Sequence, residues 1–107
     1  MIIGNQIFPD YEGRKIRLTE ERWLHILSHP EMKELSQLIP ETLSKPQIVR
    51  QSNTDETVYL YYCYQTQTIV GEKWLCVVVK ILDNDAFIIT AYLTDRLKKG
   101  KQICPTQ

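Results

Sequence analysis

The residues best suited to chemistry in this sequence are Arg22, His25 and His29, which lie close together in the N-terminal half. Their i,i+3 and i,i+4 spacing would place all three on one side of a helix. A His side chain can donate or accept a proton near neutral pH, and Arg carries a permanent positive charge. The spacing therefore favours acid–base chemistry beside an anionic group.

The stretch that holds these residues, 18–30, has the signals of a helix that begins after Thr19. Thr19 is a suitable N-cap, and two glutamates follow it, where acidic groups favour the positive end of the helix dipole. Three apolar side chains form a flank beside the polar stripe: Trp23, Ile26 and Leu27. We predict a helix that packs through this flank and lies at a sheet edge, so that its polar stripe reaches toward Thr90.

Two other interpretations of the histidines remain open. A His beside an apolar flank is often a packing residue, and His29 before Pro30 is also suited to end the helix. A zinc site is less well supported, because Ile26 stands where a zinc-protease helix carries Glu, and the sequence offers no third ligand. We therefore predict neither a metal site nor a cofactor.

Length and charge restrict the class of protein. The chain has 107 residues and 43% hydrophobic content, which suits a single domain over 1–107. Its 13 basic and 13 acidic side chains give no net charge, unlike the strongly basic domains that bind nucleic acid without specificity. A local basic rim is still compatible with the C-terminal cations, which are Arg96, Lys98, Lys99 and Lys101.

The cysteines and the N-terminus indicate a cellular compartment. Cys63, Cys76 and Cys104 are odd in number and form no Cys-x-x-Cys pair, which is typical of reduced thiols in a cytoplasmic protein. The N-terminus has no basic leader, and no segment reaches the roughly 20 apolar residues of a membrane helix. We expect a cytoplasmic protein with no membrane partner.

Hydrophobic periodicity divides the chain into two halves. The N-terminal half is expected to be helical, with a second helix over 31–39. Period-two alternation then predicts four strands: 47–51, 57–65, 73–82 and 86–93. The fold class is α+β, with N-terminal helices packed on one face of a C-terminal four-stranded antiparallel β-sheet. Residues 1–14 are expected to form an arm or an edge strand, 15–18 a second short extended segment, and 98–107 a flexible tail.

Alternation also predicts which sheet residues face the helices. We expect eight residues to be largely buried: Ile26, Leu27, Leu35, Leu60, Val77, Val79, Phe87 and Ile89. The opposite face would present Lys80, Thr90 and Tyr92, with Tyr59 and Tyr61 as neighbours. This face is either a binding surface or a set of strand tyrosines that reflect β-propensity and cross-strand packing.

Four segments together resemble a known family: RLTEERWLHILSHPEM, IPETLSKPQIVRQS, WLCVVVKIL and AFIITAYLTDRLKKG. They are similar to the phage-derived branch of the barnase, EndoU, colicin and RelE nuclease superfamily, which shares the BECR fold. The resemblance extends over most of 16–103. It implies two N-terminal helical elements packed on a four-stranded antiparallel sheet, in agreement with the periodicity.

The resemblance further implies an RNA endonuclease, a hydrolase that needs no metal and often acts as a toxin, an effector or a mobile-element nuclease. It points to His25 and Thr90 as active residues. It carries over less directly to five others: Arg22, His29, Arg50, Lys80 and Tyr92. A toxin of this kind would have a cognate antitoxin or immunity protein as a partner.

The chemistry needs few groups. A base removes the proton of the ribose 2′-hydroxyl, this oxygen attacks the adjacent phosphorus, and an acid protonates the leaving 5′-oxygen. Cations such as Arg22, Arg50 or Lys80 would stabilise the additional negative charge, and Tyr59, Tyr61 or Trp74 would stack on a base. The alternative is an RNA- or protein-binding module of the same fold without catalysis.

Overall fold

The computed structural model describes residues 5–105, and in this range the C-terminal half forms the four strands that its alternation predicts. Their ends lie within one residue of the predicted ends. The strands are β3 (Ile48–Ser52), β4 (Val58–Gln65), β5 (Lys73–Ile81) and β6 (Ala86–Thr94). They pair consecutively and antiparallel.

Three further strands enlarge the sheet: β1 (Gln6–Pro9), β2 (Lys15–Leu18) and β7 (Gly100–Cys104). The strand order is β1-β2-β6-β5-β4-β3-β7, and β2 pairs with β6 in parallel. The prediction of a four-stranded antiparallel sheet, which the family resemblance also implies, was therefore wrong. The sheet is mixed and seven-stranded because both terminal segments add strands to it. Residues 100–104, expected to belong to a flexible tail, form β7.

β1 and β2 lie where an arm or edge strand (1–14) and a short extended segment (15–18) are expected, but the enlarged sheet and β7 were not predicted. β1 and β2 have four residues each, which is too short for alternation to be distinctive. β7 is mostly polar and starts at Gly100, so local propensity does not favour a strand there. Gly100 lies so close to β3 that a Cβ would collide with the backbone carbonyl of Gln51. β7 therefore forms because it pairs with β3, and not because its local sequence favours a strand.

The helices are shorter than predicted. α1 (Glu20–Leu27) begins as expected, with the Thr19 hydroxyl accepting a hydrogen bond from the Arg22 N–H at 3.2 Å. The predicted helix over 31–39 does not form, and its place is taken by 3₁₀ turns at Pro30–Met32 and Ser36–Leu38 before α2 (Ile39–Ser44). Neither turn has a side-chain cap, so nothing local extends it. None of the helices in residues 5–105 combines the length and apolar character that crossing a membrane requires.

The main core lies between one face of the sheet and the helices. Its fully buried members include the following side chains: Ile16, Leu18, Ile26, Met32, Ile39, Leu43, Val49, Leu75, Val77, Val79, Ile88 and Ala91. α1 contributes Trp23 and Ile26, which come from the apolar flank of the predicted helix. Four of the predicted core residues are buried here, namely Ile26, Leu35, Val77 and Val79, and Leu27 packs at the edge of this core.

A β-bulge in β6 changes which of its residues enter the main core. Val78 pairs with Thr90 whereas Val79 pairs with Ile88, so that Ile89 is an extra residue. Ile88 is therefore fully buried in the main core, while Phe87 and Ile89 are only half-buried. The prediction that Phe87 and Ile89 face the helices was wrong, because it assumed strict alternation along β6.

The opposite face of the sheet carries a second apolar cluster. It is built from Leu60, Tyr62, Cys76 and Val78, with Trp74, Ile89, Tyr92 and Leu97 packed around them. Leu60, predicted to be in the core, is buried in this cluster. The face is therefore not the open polar surface that alternation predicts.

Residues 95–99, here named the strap, connect β6 to β7 across this second face. β5, β4 and β3 lie between the two strands, so the strap must cross them. Leu97 packs on the second cluster. The Lys98 N–H donates to the Tyr62 hydroxyl at 3.0 Å, and Arg50 Nη1 donates to the Lys98 carbonyl at 3.0 Å. Both backbone groups of Lys98 thus fix the strap to the sheet.

Candidate active site at helix α1 and strand β6

The two histidines lie side by side at the end of α1. Their ring centroids are 5.5 Å apart and the rings meet edge to face at 78°. His25 is exposed on the last turn of the helix, and His29 follows the C-cap Ser28. The i,i+4 spacing thus brings both imidazoles to one place, as the sequence predicts.

Glu31 is an acidic neighbour of this pair. Its Oε1 lies 3.8 Å from His29 Nδ1, and both side chains are partly exposed. A carboxylate therefore lies beside the His29 ring. Glu31 was not among the predicted site residues, although its position two residues after His29 and directly after Pro30 is a usable signal.

Arg22 connects the helix to the sheet. Its Nη1 donates to the carbonyl of Ile89 at 3.3 Å, and its Nη2 lies 3.2 Å from Glu21 Oε1. In residues 5–105, β2 pairs with β6 at Arg17 and Phe87 alone, and α1 packs against β6. The Arg22 end of the polar stripe therefore reaches β6 at the bulge, one residue before Thr90.

Thr90 is half-exposed on the second face of the sheet, opposite Val78. No hydrogen bond joins its hydroxyl to His25 or His29 in the part of the chain that the structure describes. Arg22 thus links the histidine helix to the strand that carries Thr90, while no hydrogen bond joins the predicted active pair within residues 5–105.

Tyr92 lies on the same face as Thr90, beside the Cys76 thiol. Burial, followed by the influence of Cys76, raises the pKa of Tyr92. Burial also raises the pKa of Cys76 to about 11. The Tyr92 hydroxyl is buried and has no hydrogen-bond partner of good geometry within residues 5–105. Tyr92 is therefore a neutral phenol whose hydroxyl has unused bonding capacity.

Two of the predicted phosphate-binding cations, Lys80 and Arg50, lie on the second face, and each has a partner. Lys80 Nζ is 3.3 Å from Asp55 Oδ2. Arg50 donates through Nη1 to the strap, while its buried Nε has no partner within residues 5–105. These cations hold neighbouring segments together in the structure.

Tyr59 and Tyr61 do not lie on the face that carries Lys80, Thr90 and Tyr92, which corrects the sequence-based expectation. Tyr59 pairs with Val79 and Tyr61 with Val77, and directly paired residues share a face of the sheet. Both tyrosines therefore face the main core. Tyr61 is fully buried, and the Tyr59 hydroxyl accepts a hydrogen bond from Gln51 Nε2 at 3.2 Å.

A buried polar cluster around Asp10 was not predicted. Asp10 Oδ2 accepts hydrogen bonds from the Tyr61 hydroxyl at 2.7 Å and from Arg14 Nη1 at 2.6 Å. Its Oδ1 accepts from the N–H groups of Glu12 and Arg14. The local signal is Asp10 after Pro9 with Gly13 three residues later, a turn composition in which Asp bonds its own loop.

The protonation of Asp10 follows from these contacts. Burial alone would raise its pKa, but the hydrogen bonds from Tyr61, Arg14 and the loop N–H groups outweigh burial and lower it. Burial and the adjacent Asp10 carboxylate raise the pKa of Tyr61. Asp10 is therefore a carboxylate that closes the β1–β2 loop over the core.

Residues 5–105 contain no group of three or more His, Cys, Asp or Glu side chains that could hold a metal ion. The cysteines, which are free, are distributed over the sheet. The chemistry that α1 supports is proton transfer by two imidazoles, with the guanidinium of Arg22 on the same helix one turn before His25.

Comparison of the chain with protein-family models, with curated proteins and with solved structures finds no match in any of the three.

Proposed function

We propose that this protein is a metal-independent RNA endonuclease whose proton-transfer groups are His25 and His29. The observation that carries the proposal is the exposed imidazole pair, with ring centroids 5.5 Å apart, on a helix that Arg22 bonds to β6 next to Thr90. The BECR resemblance supports the same activity, although the seven-stranded sheet differs from the fold that this resemblance implies.

The mechanism assigns one role to each group. One imidazole takes the proton of the ribose 2′-hydroxyl while the other protonates the leaving 5′-oxygen, so that a 2′,3′-cyclic phosphate forms. We assign the acid to His29, whose Nδ1 lies 3.8 Å from the Glu31 carboxylate, and the base to His25. Arg22 stabilises the phosphorane-like charge, and Thr90 donates to a phosphate oxygen.

The decisive experiment is cleavage of an RNA oligonucleotide by the purified protein in EDTA. We expect cleavage with a bell-shaped pH profile, and replacing the 2′-hydroxyl at the cut by a methoxy group should abolish it. His25→Ala should reduce the rate by about 10²- to 10⁴-fold. Cleavage of the 2′-methoxy substrate at a similar rate would show that water is the nucleophile and would refute the mechanism.

Leu24→Ala is the matched control, because Leu24 is 59% exposed on the same helix and contributes no proton-transfer group. This variant should cleave at the wild-type rate. Equal losses in Leu24→Ala and His25→Ala would mean that the helix, rather than the imidazole, is what the substitutions disturb.

A second candidate function follows from the pairing of the cations. Lys80 is held by Asp55 and Arg50 by the strap carbonyl, so these two groups already serve the fold. This favours a non-catalytic module that binds RNA or a protein such as an antitoxin. RNA binding without cleavage, unaffected by His25→Ala, would support this second function. A cytoplasmic location belongs to either proposal and rests on the three free thiols.

A further inference from the structure

More than half of the cations that precede the strap have an acidic partner within residues 5–105, whereas the cations of the strap have none. Five cations form ion pairs with carboxylates: Arg14, Arg17, Arg22, Lys73 and Lys80. Within residues 5–105, Arg96, Lys98, Lys99 and Lys101 form no ion pair, and all except Lys101 belong to the strap. All four side chains are exposed. Four uncompensated charges are thus concentrated in six consecutive residues of a chain with no net charge.

The strap presents these charges from a fixed backbone. The hydrogen bonds of Lys98 to Tyr62 and Arg50 use its main chain, and Leu97 packs on the second cluster. At the start of the strap, the Thr94 hydroxyl accepts a hydrogen bond from the Arg96 N–H at 3.3 Å. The charged ends therefore project from an anchored segment, which lowers the entropy lost when they bind a partner.

An aromatic pair lies beside the first residue of the strap. Trp74 pairs across the sheet with Thr94, directly before the strap, and Lys73 pairs with Asp95. The rings of Tyr64 and Trp74 meet edge to face at 5.1 Å, and Tyr64 is 40% exposed. A partly exposed aromatic pair next to unpaired cations is a combination that binds single-stranded nucleic acid, because rings stack on bases and cations contact phosphates.

We propose that the strap cations and the Tyr64–Trp74 pair form a binding surface for single-stranded RNA. The inference rests on the proposed function, because RNA is the substrate class named there. It adds the location of the binding surface, on the second face of the sheet, and the strandedness of the RNA. Arg50 is a positioning residue that holds the strap through the Lys98 carbonyl.

The test is binding of a fluorescent 2′-methoxy RNA, which the proposed reaction cannot cleave, measured by anisotropy over a range of salt concentrations. The triple variant Arg96→Gln, Lys98→Gln, Lys99→Gln loses three phosphate contacts. At about 0.7 counterions per contact, the salt slope should fall by about 2 and the affinity near 0.1 M salt by roughly 100-fold. Tyr64→Ala should weaken binding about 10-fold without changing the slope.

Lys15→Gln, Lys33→Gln, Lys45→Gln is the matched control. These three lysines are also exposed and form no ion pair within residues 5–105, so the variant has the same net charge without touching the strap. It should bind within a few-fold of the wild type. Equal losses in the two triple variants would overturn the proposal, because they would reflect net charge alone. Unchanged melting curves show that the variants are folded.

Two further outcomes would also overturn the inference. One is a wild-type protein that does not bind the RNA, and the other is displacement of the RNA by polyglutamate as readily as by unlabelled RNA, which would indicate an acidic protein partner. Failure of the nuclease proposal would look different, because His25→Ala and the wild type would then bind RNA equally through the strap while neither cleaved it.

Discussion

Asp10 and the His25–His29 pair are both polar groups close to secondary-structure ends, but their surroundings differ completely. Four hydrogen bonds reach the Asp10 carboxylate, whose side chain has no exposed surface. A carboxylate has about four acceptor positions, so none remains for a ligand. In residues 5–105, the exposed His25 ring makes a contact with His29 and no hydrogen bond. Saturated bonding thus identifies a structural group, and unused bonding capacity in an exposed group identifies a candidate for chemistry.

The strongest test of this contrast is removal of the Asp10 carboxylate. Asp10→Ala should lower the free energy of unfolding by about 4 kcal/mol, because it leaves the buried Tyr61 hydroxyl and Arg14 without their acceptor. Urea unfolding followed by circular dichroism gives the value. RNA binding at a temperature where the variant remains folded should be unchanged.

Asp55→Ala is the control for this substitution. Asp55 also bonds its own loop and an adjacent cation, but its side chain is 44% exposed. Its removal should have a much smaller effect on the urea midpoint. A similar midpoint shift in both variants would contradict the view that burial and saturation separate Asp10 from the exposed carboxylates.

The next largest effect concerns the bulge, which decides the contrast between the two sheet faces. Ile88→Ala should lower the free energy of unfolding by about 3 kcal/mol, because Ile88 is fully buried in the main core. Ile89→Ala should lower it by only about 1 kcal/mol, because its half-buried side chain loses less apolar surface. Both free energies are measured by urea unfolding of the two variants. The comparison is matched because the two substitutions replace adjacent residues of the same type.

Equal losses of unfolding free energy in Ile88→Ala and Ile89→Ala would contradict a bulge at Ile89. A larger effect at Ile89 than at Ile88 would restore the strict alternation that the sequence alone predicts.

The sequence predicts elements whose signals are local. The period-two runs give β3 to β6 to within a residue, and Thr19 marks the start of α1 through its capping bond. The histidine pair follows from helical spacing alone. These features need only the chain within a few residues of themselves.

Features that depend on contacts between segments far apart in the sequence could not be predicted from the sequence. β7 exists because Gly100 allows a close approach to Gln51, and the bulge at Ile89 depends on the register with β5. The register also decides that Tyr61 faces the core, where its hydroxyl meets Asp10, 51 residues away in the chain. Both faces of β4 carry tyrosines, so periodicity does not show which face is buried. Tyr59 and Tyr61, which face the main core, were therefore assigned to the RNA-binding site.

The smallest of the expected effects is a dependence on acid pH, which distinguishes a carboxylate held by hydrogen bonds from a merely buried one. The pKa of Asp10 is lowered in the folded protein from a reference value of 3.8, because hydrogen bonds from Tyr61, Arg14 and the loop outweigh the opposing effect of burial. A group whose folded pKa is lowered contributes stability above its unfolded pKa, and this contribution is lost as the pH falls through the folded value. The difference in unfolding free energy between the wild type and Asp10→Asn should therefore be constant above about pH 5 and decrease below pH 3.8. Asp55 and Asp85 are present in both proteins and cancel from this difference. A difference that instead grows as the pH falls would mean that burial dominates, and that the Asp10 carboxyl binds its proton more readily in the folded protein than in the unfolded chain.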